Sequence, residues 1–209
     1  MPTCFSRWPG TFLMLMAGIF SLDVAAFQVP ATKRFQIEDN SKLYLRGSSN
    51  VNSFTCDCGD RFYTQALELE HQNGYARFQH AELVMRAGNF DCHNRKIDQD
   101  MQKALKAKEY PLIRIVLKES RYTAQNLENH RNEWFPVQAQ VDITITKVKK
   151  AQQILAKARM LDRNRVQLRG EKTLKMSDFG IDPPEALFGM IKVNDEITFH
   201  FDMIVRIED

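Results

Sequence analysis

Over most of this chain, apolar and polar residues alternate one for one. Val137, Ala139, Val141, Ile143 and Ile145 interleave with Gln138, Gln140, Asp142, Thr144 and Thr146. A period of two puts one set in a dry interior and the other in water, the signature of a half-buried strand. The last segment repeats it. Ile197, Phe199, Phe201, Met203, Val205 and Ile207 share one face, and Thr198, His200, Asp202 and Arg206 the other. Weaker alternation runs through 42–58, 62–70, 75–87, 112–118 and 165–176, with the β-branched and aromatic residues that suit a pleated surface.

Two segments break the rule. Residues 98–107 are rich in helix formers, place Met101 and Leu105 four apart on one face, and stop before Tyr110-Pro111. They predict a short helix with Asp98 as its N-cap. Residues 149–160 carry Ala, Gln, Leu and Lys that favour a helix locally, yet they stand between clean strands, and we assign them to a strand because tertiary context overrides propensity. About seven to nine strands with one helix predict an antiparallel barrel or sandwich, and closure of a barrel removes exposed sheet edges.

The N-terminus follows a different pattern. An unbroken apolar run from Phe12 to Phe20 follows a segment with one charge, Arg7, and ends near Asp23 and the small residues Val24 and Ala26. Too short to span a bilayer, it reads as a secretory signal peptide over residues 1–26, cut after Ala26; a retained anchor helix is the alternative. The working domain is then 27–209, periplasmic or secreted. Export matters for the cysteines. Cys4 leaves with the leader, and Cys56, Cys58 and Cys92 meet an oxidising compartment in which thiols pair. Cys56 and Cys58 flank Asp57 on a strand and share a face, so either one is placed to reach Cys92. Cys-x-Cys is the wrong spacing for a thioredoxin-type pair and no histidine adjoins it, so a structural disulfide is expected rather than a redox or metal site.

Composition narrows the classes further. With 209 residues, 44% hydrophobic and 26% charged, the chain can bury the core of one domain. A mean hydropathy of −0.41 excludes a polytopic helical membrane protein. Net charge is +3, far from a nucleic-acid footprint. It conceals a local excess: between Lys147 and Lys175 ten Lys/Arg face only Asp162 and Glu171. Such a region can meet a diphosphate headgroup or an anionic membrane surface weakly, or serve as the solvated outer face of two strands. His71, His80, His93, His130 and His200 have no paired metal-ligand spacing, and neither a phosphate loop nor a Gly-x-Ser-x-Gly elbow is present. We therefore expect no enzyme, no metal and no cofactor. His130, near Asn126 and Glu128, is read as part of a polar loop.

Three stretches, in order over roughly residues 40–207, resemble the YceI-like family of exported lipocalin-like proteins. They are Leu43 to Phe54, with its small polar turn Gly47-Ser48-Ser49-Asn50; Phe90-Asp91-Cys92 through Met101 and Leu105 to Tyr110-Pro111-Leu112-Ile113; and the most specific, Leu174 to Pro184, continuing through Phe188-Gly189-Met190-Ile191 to Ile197. Two departures accompany the match. The segment Ile143 to Lys149 lacks the family's turn glycine, which predicts a longer or reshaped hairpin, and the usual arginine-aspartate pair before the helix is Gln99-Asp100. The resemblance implies an extended all-β, antiparallel lipocalin-like barrel of about eight strands with one short helix. It also implies a lumen that holds a long apolar lipid, isoprenoid, quinone-like or fatty-acid-like, and no chemistry of its own. The competing reading is an envelope interaction protein with a filled barrel and no ligand. Nothing in the pattern separates a monomer from a homodimer.

A lipid site needs an apolar tunnel, and Phe 14 and Met 9 supply bulky, deformable side chains for a wall or for a plain core. Burying about ten methylene equivalents at roughly 0.8 kcal/mol each gives about 8 kcal/mol, from which association removes an estimated 4 or more. Longer tails therefore bind best. The expected lining is Phe54, Phe90, Met101, Leu105 and Tyr110 around the helix, Ile113 and Ile115 on the next strand, and Phe179, Ile181, Phe188 and Met190 around Asp182-Pro183-Pro184. Those two prolines restrict the chain enough to hold an apolar loop against the opening.

Overall fold

A computed structural model describes residues 31–72, 74–122 and 132–208. The predicted leader, Cys4 and the polar loop around His130 lie outside the described residues. In chain order the elements are β1 (Ala31–Ile37), β2 (Lys42–Ser48), β3 (Ser53–Cys58), β4 (Gln65–Gln72), β5 (Tyr75–Gln79), β6 (Glu82–Arg86), β7 (Phe90–Asp91), α1 (Arg95–Ala104), β8 (Leu112–Tyr122), β9 (Phe135–Ile145), β10 (Val148–Met160), β11 (Arg165–Lys175), β12 (Glu185–Ala186), β13 (Ile191–Lys192) and β14 (Glu196–Glu208). The alternating segments are strands as expected, and 149–160 lies within β10 despite its helix-favouring composition. Its even-numbered residues point inward, with Ile154 and Ala158 buried, while its odd-numbered ones from Lys149 to Lys157 are exposed.

Eight strands close a ring in the order β1, β4, β5, β8, β9, β10, β11, β14, with β14 returning to β1. Of the barrel or sandwich that the alternation allowed, the structure is the antiparallel barrel that the family resemblance implied. Two strands serve both of its ends. β14 pairs with β2 through Thr198–Asp202 and with β1 through Val205–Glu208. β8 pairs first with β6 and, past an irregularity at Leu117/Glu119, with β5. At the β2 end the wall continues through β3 to β7, and the 3₁₀ turn Ala87–Asn89 carries the chain from β6 directly into β7.

Closure there relies on one buried carboxylate. Asp60 accepts from the Arg86 backbone N–H at 2.6 Å, from Arg86 Nε at 2.7 Å and from Asn89 Nδ2 at 2.8 Å. It replaces the ladder that β6 and β7 lack, and charge-assisted bonds of this kind are the strong ones. A disulfide between Cys56 and Cys92 ties β3 to the entry of α1 at the same end, and Cys58 is free.

The helix starts earlier than predicted. Asn94, not Asp98, is its N-cap, accepting from the N–H groups of Lys96 and Ile97. Asp98 instead reaches back to the Cys92 N–H at 2.8 Å, so both residues satisfy donors at one helix start. Gln99-Asp100 then falls inside the helix. Of the longer or reshaped hairpin expected without the glycine, the longer form is absent: Ile145 pairs with Val148 across a two-residue turn. Thr146 takes φ +54° there, a costly conformation for a β-branched residue. Its hydroxyl donates to the carbonyl of Phe179 at 2.9 Å, which anchors the turn to the 176–181 segment.

The main core cluster lies toward the β2 end, from Leu45 and Met85 through Val141 and Ile143 to Leu174 and Phe179. Among the described residues, no helix is long and apolar enough to cross a membrane.

A candidate apolar cavity beneath the helix

Space remains at the β2 end beneath α1. Gly47 faces Phe54 across the β2–β3 ladder, and a Cβ on Gly47 would stand 2.4 Å from Phe54 Cζ. The phenyl ring lies over the glycine, and Phe54 thereby becomes wall. Opposite it, α1 presents Ile97, Met101, Ala104 and Leu105, an apolar stripe of helical period. Between them is a cavity of about 260 Å³. Leu45, Ile113, Ile145, Leu174, Ile197 and Phe199 form its barrel side, and Met176, Phe179 and Ile181 one rim. The opposite rim is the β12–β13 hairpin through Pro184, Ala186, Ile191 and Val193. Polar groups stand only at the mouth: Ser49, Asn52, Asn94, Lys96, Asp100, Lys175 and Glu185.

The rims are held by specific bonds. Asp195 accepts from the Ser177 backbone N–H at 2.8 Å and from the Ser177 hydroxyl, and its carbonyl accepts from the Met176 N–H at 2.8 Å. The hydroxyl and N–H of Ser177 hold the Asp195 carboxyl below the usual aspartate range. Gly180 turns the segment at φ +67°, and Ile181 closes it with a bond to Met176 O at 3.1 Å. At the mouth, Lys96 pairs with Asp100 at 3.1 Å and Lys192 with Glu185 at 3.2 Å. The entrance is polar but charge-balanced.

Of the residues singled out in the sequence, Phe54, Met101, Leu105, Ile113, Phe179 and Ile181 line this cavity. Five stand elsewhere. Phe90 is buried in the core against Phe199, ring edge to face at 6.4 Å. Ile115 packs on that core, and Tyr110 lies half-buried beyond the helix. Phe188 and Met190 are exposed, at 107% and 66%. The prolines do place a hairpin at the opening, but its loop turns away: Leu187 and Phe188 take positive φ, which sends their side chains outward. Leu45, Ile145, Leu174, Met176 and Phe199 line the wall without having been singled out; each sits on the apolar face of an alternating strand or at its end, where alternation marks the interior without separating wall from filler. The basic Lys147–Lys175 region spreads over β10, β11 and their turns, with Lys147, Lys149, Lys157, Arg163, Arg169 and Lys175 exposed and Lys150, Arg159, Arg165 and Lys172 half-buried. Lys149 pairs with Asp142, Lys150 with Asp178, Arg165 with Asp162 and Arg169 with Asp202. Among the described residues no group of His, Cys, Asp or Glu is arranged to hold a metal ion.

A closed antiparallel barrel with an apolar pocket at one end, entered through a polar mouth beneath a helix, defines the lipocalin-like class. Within it, the chain belongs to the YceI-like domain family, whose model matches residues 22–205. Solved structures agree on the fold. A polyisoprenoid binding domain from Saccharophagus degradans, implicated in plant cell wall breakdown, aligns at 12% identity and a TM-score of 0.57, covering 82% of this chain and 97% of that one. BcnA of Burkholderia cenocepacia aligns at 14% identity and 0.55, covering 78% and 95%. Comparison with curated proteins gives no match.

Proposed function

We propose that this protein binds and carries or sequesters a long apolar lipid, isoprenoid, quinone-like or fatty-acid-like, in the cavity under α1. The carrying observation is a cavity whose interior wall is apolar throughout while its polar groups are confined to the mouth. Such a site rewards apolar burial and supplies nothing for group transfer. The polyisoprenoid binding of the Saccharophagus domain supports this reading on a shared fold. At about 260 Å³ the space is slightly below the roughly 300–1,000 Å³ of ligand pockets for small molecules. A tail of several isoprene units therefore enters only in part, or enters by moving Met101, Leu105 or Met176, which are unbranched or terminal to their elements and shift at low cost.

Export to the periplasm or beyond is part of the same reading. The Cys56–Cys92 disulfide supports it, since such bonds persist in oxidising compartments. Titration of the protein with geranylgeraniol, followed by displacement of a fluorescent polyene fatty acid, tests the binding. Saturable one-to-one displacement at micromolar concentration or below, unchanged between low and high salt, is the expected result. Absence of saturable displacement would overturn the proposal.

A further inference from the structure

The β12–β13 hairpin ends in Leu187, Phe188, Gly189 and Met190, and three large apolar side chains there meet solvent: Leu187 at 59%, Phe188 at 107% and Met190 at 66%. Val51, 63% exposed, stands in the turn that braces the hairpin. We propose that this tip is a membrane-docking element that inserts into the interfacial region of a lipid bilayer and sets the cavity mouth against it.

The tip is held out by design of its backbone. Leu187 and Phe188 are consecutive non-glycine residues at φ +51° and +54°, conformations that cost energy and persist only when the surroundings impose them. The loop closes on itself, with the Gly189 N–H donating to Ala186 O and the Met190 N–H to Leu187 O, each at 3.2 Å, and Asn50 holds the hairpin from the neighbouring turn. Its N–H donates to Lys192 O at 3.1 Å, its Oδ1 accepts from the Lys192 N–H at 2.9 Å and its Nδ2 donates to Met190 O at 2.9 Å. An apolar cavity lies directly beneath, lined by Ala186 and Ile191 on either side of the loop, yet the loop's own apolar side chains are turned away from it.

Shape selects the partner. A stable protein interface needs on the order of 800 Å² per side with complementary packing, and a tip of three side chains on a two-stranded hairpin offers neither. A bilayer accepts a convex apolar tip without complementary shape, with affinity scaling on the buried apolar area. Charge selects against an anionic surface as the driving force, because Lys192 is paired with Glu185 at 3.2 Å beside the tip. Continuity gives the contact its use: Val51, Ala186 and Ile191 pass from the exposed tip into the cavity wall, so a chain leaving the bilayer stays on apolar surface.

The tip stands on exposed residues alone and does not require an occupied cavity. Its test is flotation of the full chain with phosphatidylcholine vesicles in high salt. The wild type floats, Phe188→Ser lowers the partition coefficient by roughly tenfold or more, and the combined Leu187→Ser, Phe188→Ser and Met190→Ser variant stays at the bottom. Melting temperatures are unchanged, since all three side chains are exposed. Failure of the wild type to float, flotation only with anionic lipid and released by salt, or equal flotation of the triple variant would each overturn the proposal. Geranylgeraniol supplied in solution separates the two claims. Uptake by the triple variant leaves the cavity reading intact, and flotation without any uptake removes that reading while the docking tip stands.

Discussion

Cys56 and Cys58 lie two residues apart on one strand and meet opposite fates. Sequence alternation put both on the same face and left open which one reaches Cys92, because that choice depends on strand register, a tertiary quantity. β3 and β7 align Cys58 with Phe90, and Cys92, two residues further on, bonds Cys56. The leftover thiol is silenced. Burial pushes the Cys58 thiol up to about 11, against the backbone hydrogen bond from Asp60, which pulls it down, and the thiolate is the nucleophile in alkylation and disulfide exchange. At pH 8 the folded protein is expected to react with iodoacetamide about a hundredfold more slowly than the urea-unfolded chain; equal rates, measured by mass spectrometry of the Cys58 peptide, would contradict this environment. A similar limit explains the site residues. Phe54 was legible as apolar, but its role as wall depends on the bare face of Gly47 opposite, and Phe188 was legible as apolar while its outward direction came from backbone dihedrals that no side-chain pattern encodes.

At the level of elements, periodicity carried the strands and propensity misled at their margins. The β10 segment is a strand because β9 and β11 offer it ladders on both sides, a gain that exceeds the few tenths of a kcal/mol per residue by which its composition favours a helix. The helix was displaced because Asn94 and Asp98 are both competent caps, and the one that finds Lys96 and Ile97 N–H groups starts it. The 176–181 rim shows how a motif of the sequence becomes geometry, with Asp195 holding Ser177 and Thr146 holding Phe179. The Asp195 carboxyl is depressed in the fold by its bonds to Ser177. A depressed acid contributes stability that is fully present above its unfolded value of about 3.9 and is lost as pH falls through the folded one. Acidification below about pH 4 is thus expected to loosen the rim, seen as faster amide exchange at Ser177 through Gly180. In Asp195→Asn that pH-dependent part disappears; an unchanged acid profile in the variant would assign the loosening elsewhere.

The molecule as a whole is a barrel with two different ends sharing β8 to β11 and β14. One end closes by continuous ladders. The other closes through Asp60, a 3₁₀ turn and a disulfide, and it is this end that holds the cavity. The all-β class was legible from alternation, which left barrel and sandwich open and did not mark β1, and the barrel itself was implied by the family resemblance; the double closure was not legible, because it depends on β6 and β7 bending around Ala87–Asn89 rather than on any periodicity. Cys56 and Cys92 are 36 residues apart, and a cross-link of that length is worth about 3–4 kcal/mol by loop entropy. Reduction is therefore expected to lower unfolding stability in urea by about that amount and to free α1 first; an unchanged midpoint would contradict a structural role for the bond. The central claim, that the space under α1 is a lipid site and not a packing defect, is tested most directly by native mass spectrometry of the full chain beside Ala104→Phe, which places a ring into the cavity from the helix. The wild type is expected to carry an apolar adduct, or to gain one on exposure to geranylgeraniol, and the variant to lose it at an unchanged melting temperature. A wild type that neither carries nor acquires an adduct, or a variant that retains it in full, would contradict the account.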